Sequence, residues 1–228
     1  MAAPARAGGS AVATVAFLQD EIESIYGVRA PRVQRFLVGR AQARAAGAEP
    51  RASEELLVVG ARDGIEVGLF LDDGVMAAAA AAAPQRRRAR LFARRRLDGI
   101  ACVAEGISHF VYLATRAEAD RPVSLLELEV QAEVDKFALL LLHLWRRGRR
   151  RLSAALRRRL FERVRYHPHL APHELDRYRT ANGLAAGYAR WLEGRFVSRA
   201  DADGLFRELR ATYRRGAGEK LGYLGSRG

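Results

Sequence analysis

The order of hydrophobic and polar positions divides the chain into a short first region of mixed pattern and a long second region of helical pattern. In the first region, apolar residues recur every three or four positions over 11–26 and predict a helix, with Gly27 as its end. A strand of mixed pattern follows at 32–39, in the sequence RVQRFLVG.

A β-hairpin is predicted at 55–71. Two β-prone runs, LLVVGA and IEVGLFL, flank the pair Asp63-Gly64, and both residues of this pair tolerate the positive φ of a tight turn. With the strand at 32–39, the hairpin predicts a small three-stranded antiparallel sheet. We expect the first helix to lie across one face of that sheet.

Beyond the hairpin, the segment VMAAAAAAAPQRRR has high helix propensity but offers little surface to pack, so 76–88 is predicted to be an Ala-rich joint. The pattern after it is helical almost to the end. The predicted helices are 86–118 with a break near Gly99, 123–147, 150–166, 172–194 and 200–215.

These elements predict an α+β fold, with an N-terminal helix and small antiparallel sheet followed by a mainly α-helical C-terminal bundle. The predicted units are a flexible tail at 1–10, the helix-and-sheet unit at 11–75, the joint at 76–88, the helical bundle at 89–216 and a tail at 217–228. We expect the sheet unit and the bundle to pack together as one domain.

Composition adds a strong positive charge. The chain of 228 residues has a formal net charge of +13, and all but two of its 39 basic residues are arginine. A GC-rich bacterial coding sequence produces the same bias, so the charge raises the expectation of polyanionic partners only moderately.

The single cysteine, Cys102, excludes an intramolecular disulfide and favours a cytoplasmic location. The longest strongly apolar run, 137–145, is too short to span a membrane.

Two basic runs, 86–96 and 146–165, are candidates for contact with nucleic acid or an acidic protein. Arginine binds phosphate through its bidentate fork. The candidate residues are Arg149, Arg150, Arg151, Arg157, Arg158 and Arg159. The alternative is an ordinary solvated helix face, since no zinc finger, P-loop or RNA-binding signature accompanies the arginines.

Glu105 and His109 are four residues apart and share one helix face with Ser108 and Tyr112. A carboxylate and an imidazole presented together can relay a proton or bind a metal. The plainer alternative is an amphipathic helix whose polar stripe faces water.

The helix predicted at 123–147 has apolar residues on two sides, which is typical of a central helix with several neighbours. Its acids, Glu127, Glu129, Glu133 and Asp135, therefore need partners, because an isolated buried charge is very costly. Structural bridges to arginine are the leading explanation. A carboxylate-lined functional pocket is the alternative.

Two functions remain open. The first is a soluble interaction or regulatory protein whose arginines contact nucleic acid or an acidic partner. The second is an enzyme or small-ligand binder, with His109 as acid/base group, Glu105, Glu129 and Glu133 as further catalytic groups that could bind a metal or a cationic substrate, and Tyr112, Tyr178 and Asn182 as ligand contacts. No resident metal or cofactor is predicted, and the histidines of 167–173 are interpreted as a solvated loop.

Overall fold

The computed structural model describes residues 9–49, 52–61, 64–82, 94–164, 166, 168 and 170–228. Over these residues the fold is α+β, as predicted, with several C-terminal helices and a small mixed sheet. The helices are α1 Gly9–Tyr26, α2 Arg40–Ala45, α3 Asp73–Ala82, α4 Arg94–Glu118, α5 Leu125–Arg146, α6 Ser153–Arg157, α7 Pro172–Leu192, α8 Ala202–Arg214 and α9 Ala217–Gly225. The strands are β1 Leu37–Val38, β2 Glu54–Ala61 and β3 Gly64–Leu71.

The chain divides into two compact units. Unit 1 comprises Met1–Glu21 and Arg29–Ala114, and unit 2 comprises Ile22–Val28 and Thr115–Gly228. The division falls within α1 and α4, so it follows neither the predicted boundary at residue 75 nor the Ala-rich segment. That the two units pack as one domain stays a prediction.

The hairpin is confirmed, and the sheet around it is mixed rather than wholly antiparallel. β2 and β3 pair antiparallel along their whole length, with Ala61 opposite Gly64 at the turn end. β1 pairs with the other edge of β3 in parallel. Only two residues of the predicted strand 32–39 form β1, because a 3-10 turn occupies Val33–Arg35. A strand this short carries no readable alternation, so its direction was not predictable from the pattern.

The Ala-rich segment is a helix in its first part, not a joint. α3 covers Asp73–Ala82, and 83–88 lies outside the described residues. Gly99 does not break α4 but lies where α4 meets α3. A Cβ at Gly99 would lie 2.7 Å from the Ala78 Cβ and 3.0 Å from the Ala79 backbone nitrogen. The small residues therefore allow the two helices to approach closely.

In unit 2 the helices follow the predicted order with local differences. The predicted helix 150–166 is a 3-10 turn at Arg150–Leu152, then α6, then a π-helical turn at Arg158–Glu162. Residues 217–228, predicted as a tail, contain α9, whose Lys220 side chain is fully buried. The hydrogen bond from Lys220 to Gln131 and the buried Leu224 hold α9 in place, and local sequence does not reveal these partners.

One helical segment, Leu97–Glu118, is long and apolar enough to cross a membrane by length and composition alone. Of its most apolar window, 67% is buried inside the protein. Buried polar side chains, including Ser108 and Arg116, lie within the same segment. This burial is typical of the core helix of a folded domain. The candidate segment is longer than 137–145, the run predicted to be too short to span a membrane.

The close contact at Gly99 predicts an asymmetry between two helical glycines. Gly99→Ala forces a methyl group against the α3 backbone, so we expect a loss of about 1–3 kcal/mol in unfolding free energy. Gly183 in α7 is exposed and has open space around its Cα, so Gly183→Ala should stabilise the protein by up to about 1 kcal/mol. Urea denaturation of both variants measures this, and a stabilised G99A variant would contradict the packing described.

Candidate functional site

The polar stripe of α4 in unit 1 is buried and does not face water. Ser108 and Tyr112 are fully buried, His109 is 8% exposed, and Glu105 is half-buried. The solvated-face interpretation of this stripe is therefore wrong. Its polar groups must find their partners within the protein.

Two carboxylates of unit 1 lie near His109: Glu105, with an oxygen within 4.8 Å of an imidazole nitrogen, and Glu54, the first residue of β2. The His109 Nδ1 lies 3.8 Å from the Glu54 Oε1. The two side chains form an ion pair only when the imidazole is protonated. Gly106, one turn of α4 away, makes room for this carboxylate. A Cβ at Gly106 would lie 2.6 Å from the Glu54 Oε2. No local pattern singles out Glu54, because the contact joins a strand to a helix 55 residues later.

The other predicted catalytic acids lie on α5, in unit 2, where basic side chains approach both. Glu129 is 9% exposed, and its Oε1 lies 3.8 Å from the Arg177 Nε. Glu133 accepts a hydrogen bond of 3.0 Å from the Lys136 Nζ, one helical turn away. Structural bridges to arginine were the leading explanation for these acids. The contact of Glu129 with Arg177 agrees with it, whereas the partner of Glu133 given by this geometry is a lysine.

The predicted ligand contacts of α7 are half-buried. The Arg177 guanidinium lies 5.4 Å from the centre of the Tyr178 ring. The Asn182 Nδ2 donates a hydrogen bond of 3.1 Å to the Phe161 backbone oxygen, which ties α7 to the π-helical turn. These two residues thus have structural contacts of their own. Because Glu105, His109 and Tyr112 belong to unit 1 and the rest to unit 2, a pocket shared by all of them stays a prediction.

The most completely buried acid of α5 is Glu127. The sequence pattern predicts that it needs a partner but assigns it no catalytic or binding role. Its side chain is inaccessible to solvent, and its Oε1 accepts a hydrogen bond of 2.9 Å from the Arg116 Nη2. The Lys220 Nζ, from α9, lies 3.8 Å from the same oxygen. Arg116 also donates to the Arg215 backbone oxygen at the end of α8. One carboxylate thus connects α4, α5 and α9, and its partner Arg116 reaches α8.

A second buried acid extends this network along α5. Gln131 accepts a hydrogen bond of 2.8 Å from the Lys220 Nζ and donates one of 2.7 Å to the Asp135 Oδ1. Asp135 also accepts from the hydroxyl of Tyr26, the last residue of α1. The Tyr26 ring stacks on Tyr213 of α8 at 4.1 Å between centroids. Two neutral donors, Gln131 and Tyr26, therefore hydrogen-bond Asp135.

Burial sets the protonation of this network. It raises the pKa of the Tyr26 hydroxyl well above its ordinary value, and the Asp135 carboxylate beside it acts in the same direction. Burial lowers the pKa of the Lys220 ammonium to about 7, although the Glu127 carboxylate opposes the shift. Arg116 nearby adds to the lowering. A lysine in this position changes its charge near neutral pH.

Five of the six arginines predicted to bind nucleic acid differ from the sixth, Arg157, which is used inside the protein. Arg149, Arg151 and Arg158 are exposed, and Arg150 and Arg159 are half-buried. Arg157 is a structural residue: its Nε donates a hydrogen bond of 2.7 Å to Glu193, and its Nη1 donates one of 3.2 Å to Glu162.

Of the three histidines in 167–173, His173 is exposed at the start of α7. His167 and His169 lie outside the described residues, so the interpretation of this stretch as a solvated loop stays a prediction.

Comparison with known proteins returned no relationship: no family model matches the chain, and neither the curated proteins nor the solved structures gave a significant match.

The lowered pKa of Lys220 predicts a specific pH dependence. In the unfolded chain the lysine titrates near its ordinary value of 10.5, and in the folded protein near 7. Between these values the unfolded state binds more protons, so stability should rise with pH, by up to about 1.4 kcal/mol per pH unit. Lys220→Met should remove this rise between pH ~7.5 and ~9.5, below the range where tyrosines titrate. Urea denaturation across that range measures it, and equal slopes for both proteins would refute the assignment.

Proposed function

We propose that this protein is a cytoplasmic interaction or regulatory protein that binds nucleic acid phosphates through its arginine segment, residues 146–163. The segment contains nine arginines and one carboxylate, Glu162. The observation that supports the proposal is the unequal use of charge in unit 2. The acids of α5 are occupied by internal contacts, whereas most arginines of this segment are accessible.

Four arginines of the segment are available for a partner. Arg149, Arg151, Arg158 and Arg163 are exposed, and none of them pairs with a carboxylate among the described residues. A guanidinium that gives up no internal ion pair can bind phosphate without that cost, and its planar fork matches two phosphate oxygens.

A nucleic acid suits this segment better than an acidic protein. The arginines are dense in sequence and occur with a formal net charge of +13 over the chain. Neutralisation of a regularly charged backbone releases counterions, which gives arginine-rich surfaces much of their affinity. An acidic protein partner, with fewer and irregularly spaced charges, is the alternative that the following experiment excludes or supports.

Removal of three exposed arginines should weaken nucleic-acid binding in a salt-dependent way. We expect the triple variant R149A/R151A/R158A to bind duplex or single-stranded oligonucleotides more weakly at low salt. The slope of log K against log salt should fall by about 0.7–0.9 for each phosphate that the variant no longer neutralises. Fluorescence anisotropy with labelled oligonucleotides at several salt concentrations measures both quantities.

A matched variant controls for net charge. R190A/R199A/R207A removes three exposed arginines elsewhere in unit 2 and changes the charge equally. If this control variant keeps the wild-type affinity and the wild-type slope of log K against log salt, the result supports a binding site localised to the arginine segment. An equal loss in both triple variants would indicate only a general charge effect. Flat salt dependence of the wild type, or retention by an acidic protein column but not by heparin, would overturn the nucleic-acid proposal.

A further inference from the structure

A second cluster in unit 2, separate from the arginine segment, centres on the carboxylate of Glu208 in α8. Its Oε1 accepts hydrogen bonds from the hydroxyls of Tyr223 at 2.7 Å, Tyr188 at 3.1 Å and Thr212 at 3.0 Å. Glu208 is itself half-buried. Three hydroxyl donors on one oxygen fix the position of this carboxylate and of the two tyrosine rings.

Aromatic rings surround this carboxylate. Trp191 stacks near Tyr188, with 5.9 Å between ring centroids and 14° between ring planes. Tyr223 meets Tyr188 edge-on at 6.5 Å. Because the two tyrosines donate their hydroxyl protons to a carboxylate, their rings become richer in electrons, which strengthens attraction for a cation over the ring face.

Two arginines of the chain already lie at the cluster, and Arg227 contacts both the Trp191 and the Tyr223 ring. The Arg227 guanidinium carbon lies 4.8 Å from the Trp191 ring centre and 4.7 Å from the Tyr223 ring centre. Arg215 lies over the same Tyr223 ring at 4.1 Å and also pairs with Glu219. Arg227 is exposed and, among the described residues, pairs with no carboxylate. Its side-chain contacts are the two rings and a hydrogen bond with the Tyr223 hydroxyl.

The segment that carries Arg227 lies on α7 through small residues. A Cβ on Gly187 would lie 2.4 Å from the Gly228 Cα, and one on Gly225 would lie 3.7 Å from the Leu184 side chain. The Ser226 hydroxyl donates to the Tyr223 backbone oxygen, at 2.8 Å. Arg227 itself is exposed at the end of this segment, so its side chain can move off the rings without disruption of the buried core.

We propose that Trp191, Tyr223 and Glu208 form a binding site for a weakly hydrated organic cation, a guanidinium or a methylated ammonium group, and that Arg227 is its intramolecular occupant. A ligand of this class gains both ring faces, and Glu208 contributes by holding the Tyr223 ring through its hydroxyl. A small hydrated cation does not gain these faces, because it keeps its water shell. The proposal does not depend on nucleic-acid binding, and Arg227 lies outside the arginine segment.

Removal of Arg227 should free the Trp191 ring and leave Arg215 as the one arginine of the pair over Tyr223. We expect Arg227→Ala to bind tetramethylammonium about tenfold more tightly than the wild type does, since an intramolecular competitor acts at millimolar effective concentration or above. The readout is the indole N–H resonance of Trp191 in NMR spectra, assigned with Trp145→Phe, because the chain has only these two tryptophans. Tetramethylammonium and methylguanidinium are titrated separately against sodium chloride at constant ionic strength.

The controls separate a binding site from structural stacking. Arg199→Ala removes an exposed arginine elsewhere and should leave the titration like that of the wild type. Glu208→Gln in the R227A background should weaken the binding several-fold while the folded NMR spectrum is retained. Saturable shifts with either organic cation but not with sodium support the proposal. No saturable shift in R227A, equal binding by R227A and wild type, or an equal response to sodium would overturn it.

Discussion

The fold of unit 2 depends on how one buried carboxylate is neutralised. Glu127 is inaccessible to solvent, and removing a carboxylate from water costs several kcal/mol unless charge and hydrogen bonds replace its hydration. Arg116 supplies a direct hydrogen bond, and Lys220 supplies a second charge nearby. Because these partners come from the end of α4 and from α9, the requirement fixes both elements against α5. Gln131 and Asp135 continue the same network to Tyr26.

This requirement separates the two kinds of charge in the unit. The acids of α5 are directed inward and are used in structure, and Arg116, Arg157 and Lys220 are taken inward with acidic partners. Most of the remaining arginines of 146–163 stay outside. The buried acids of α5 therefore have partners other than the accessible arginines of 146–163. The same division motivates the proposal that the surface, and not the acids, contacts the partner.

Local patterns predicted the elements that local physics determines. The hairpin followed from strand-forming runs around Asp63-Gly64, and the central position of α5 followed from apolar residues on two of its sides. The elements that were missed depend on distant partners. α9 is ordered by Lys220, whose hydrogen-bond acceptor Gln131 is 89 residues away, and His109 lies beside Glu54 from the sheet. Gly99 was predicted to break a helix, because the sequence does not show that the α3 backbone comes close enough to exclude a side chain there.

The most direct test of this account is the unfolding free energy of Glu127→Gln compared with that of Glu118→Gln. Both variants remove one glutamate charge, but Glu118 is exposed at the end of α4. If Glu127 neutralises buried Arg116 and Lys220, E127Q should lose about 3 kcal/mol or more, because it removes the buried charge that Arg116 hydrogen-bonds and Lys220 approaches. E118Q should change stability by less than about 0.5 kcal/mol. A loss in E127Q as small as that in E118Q would contradict the central role of this carboxylate.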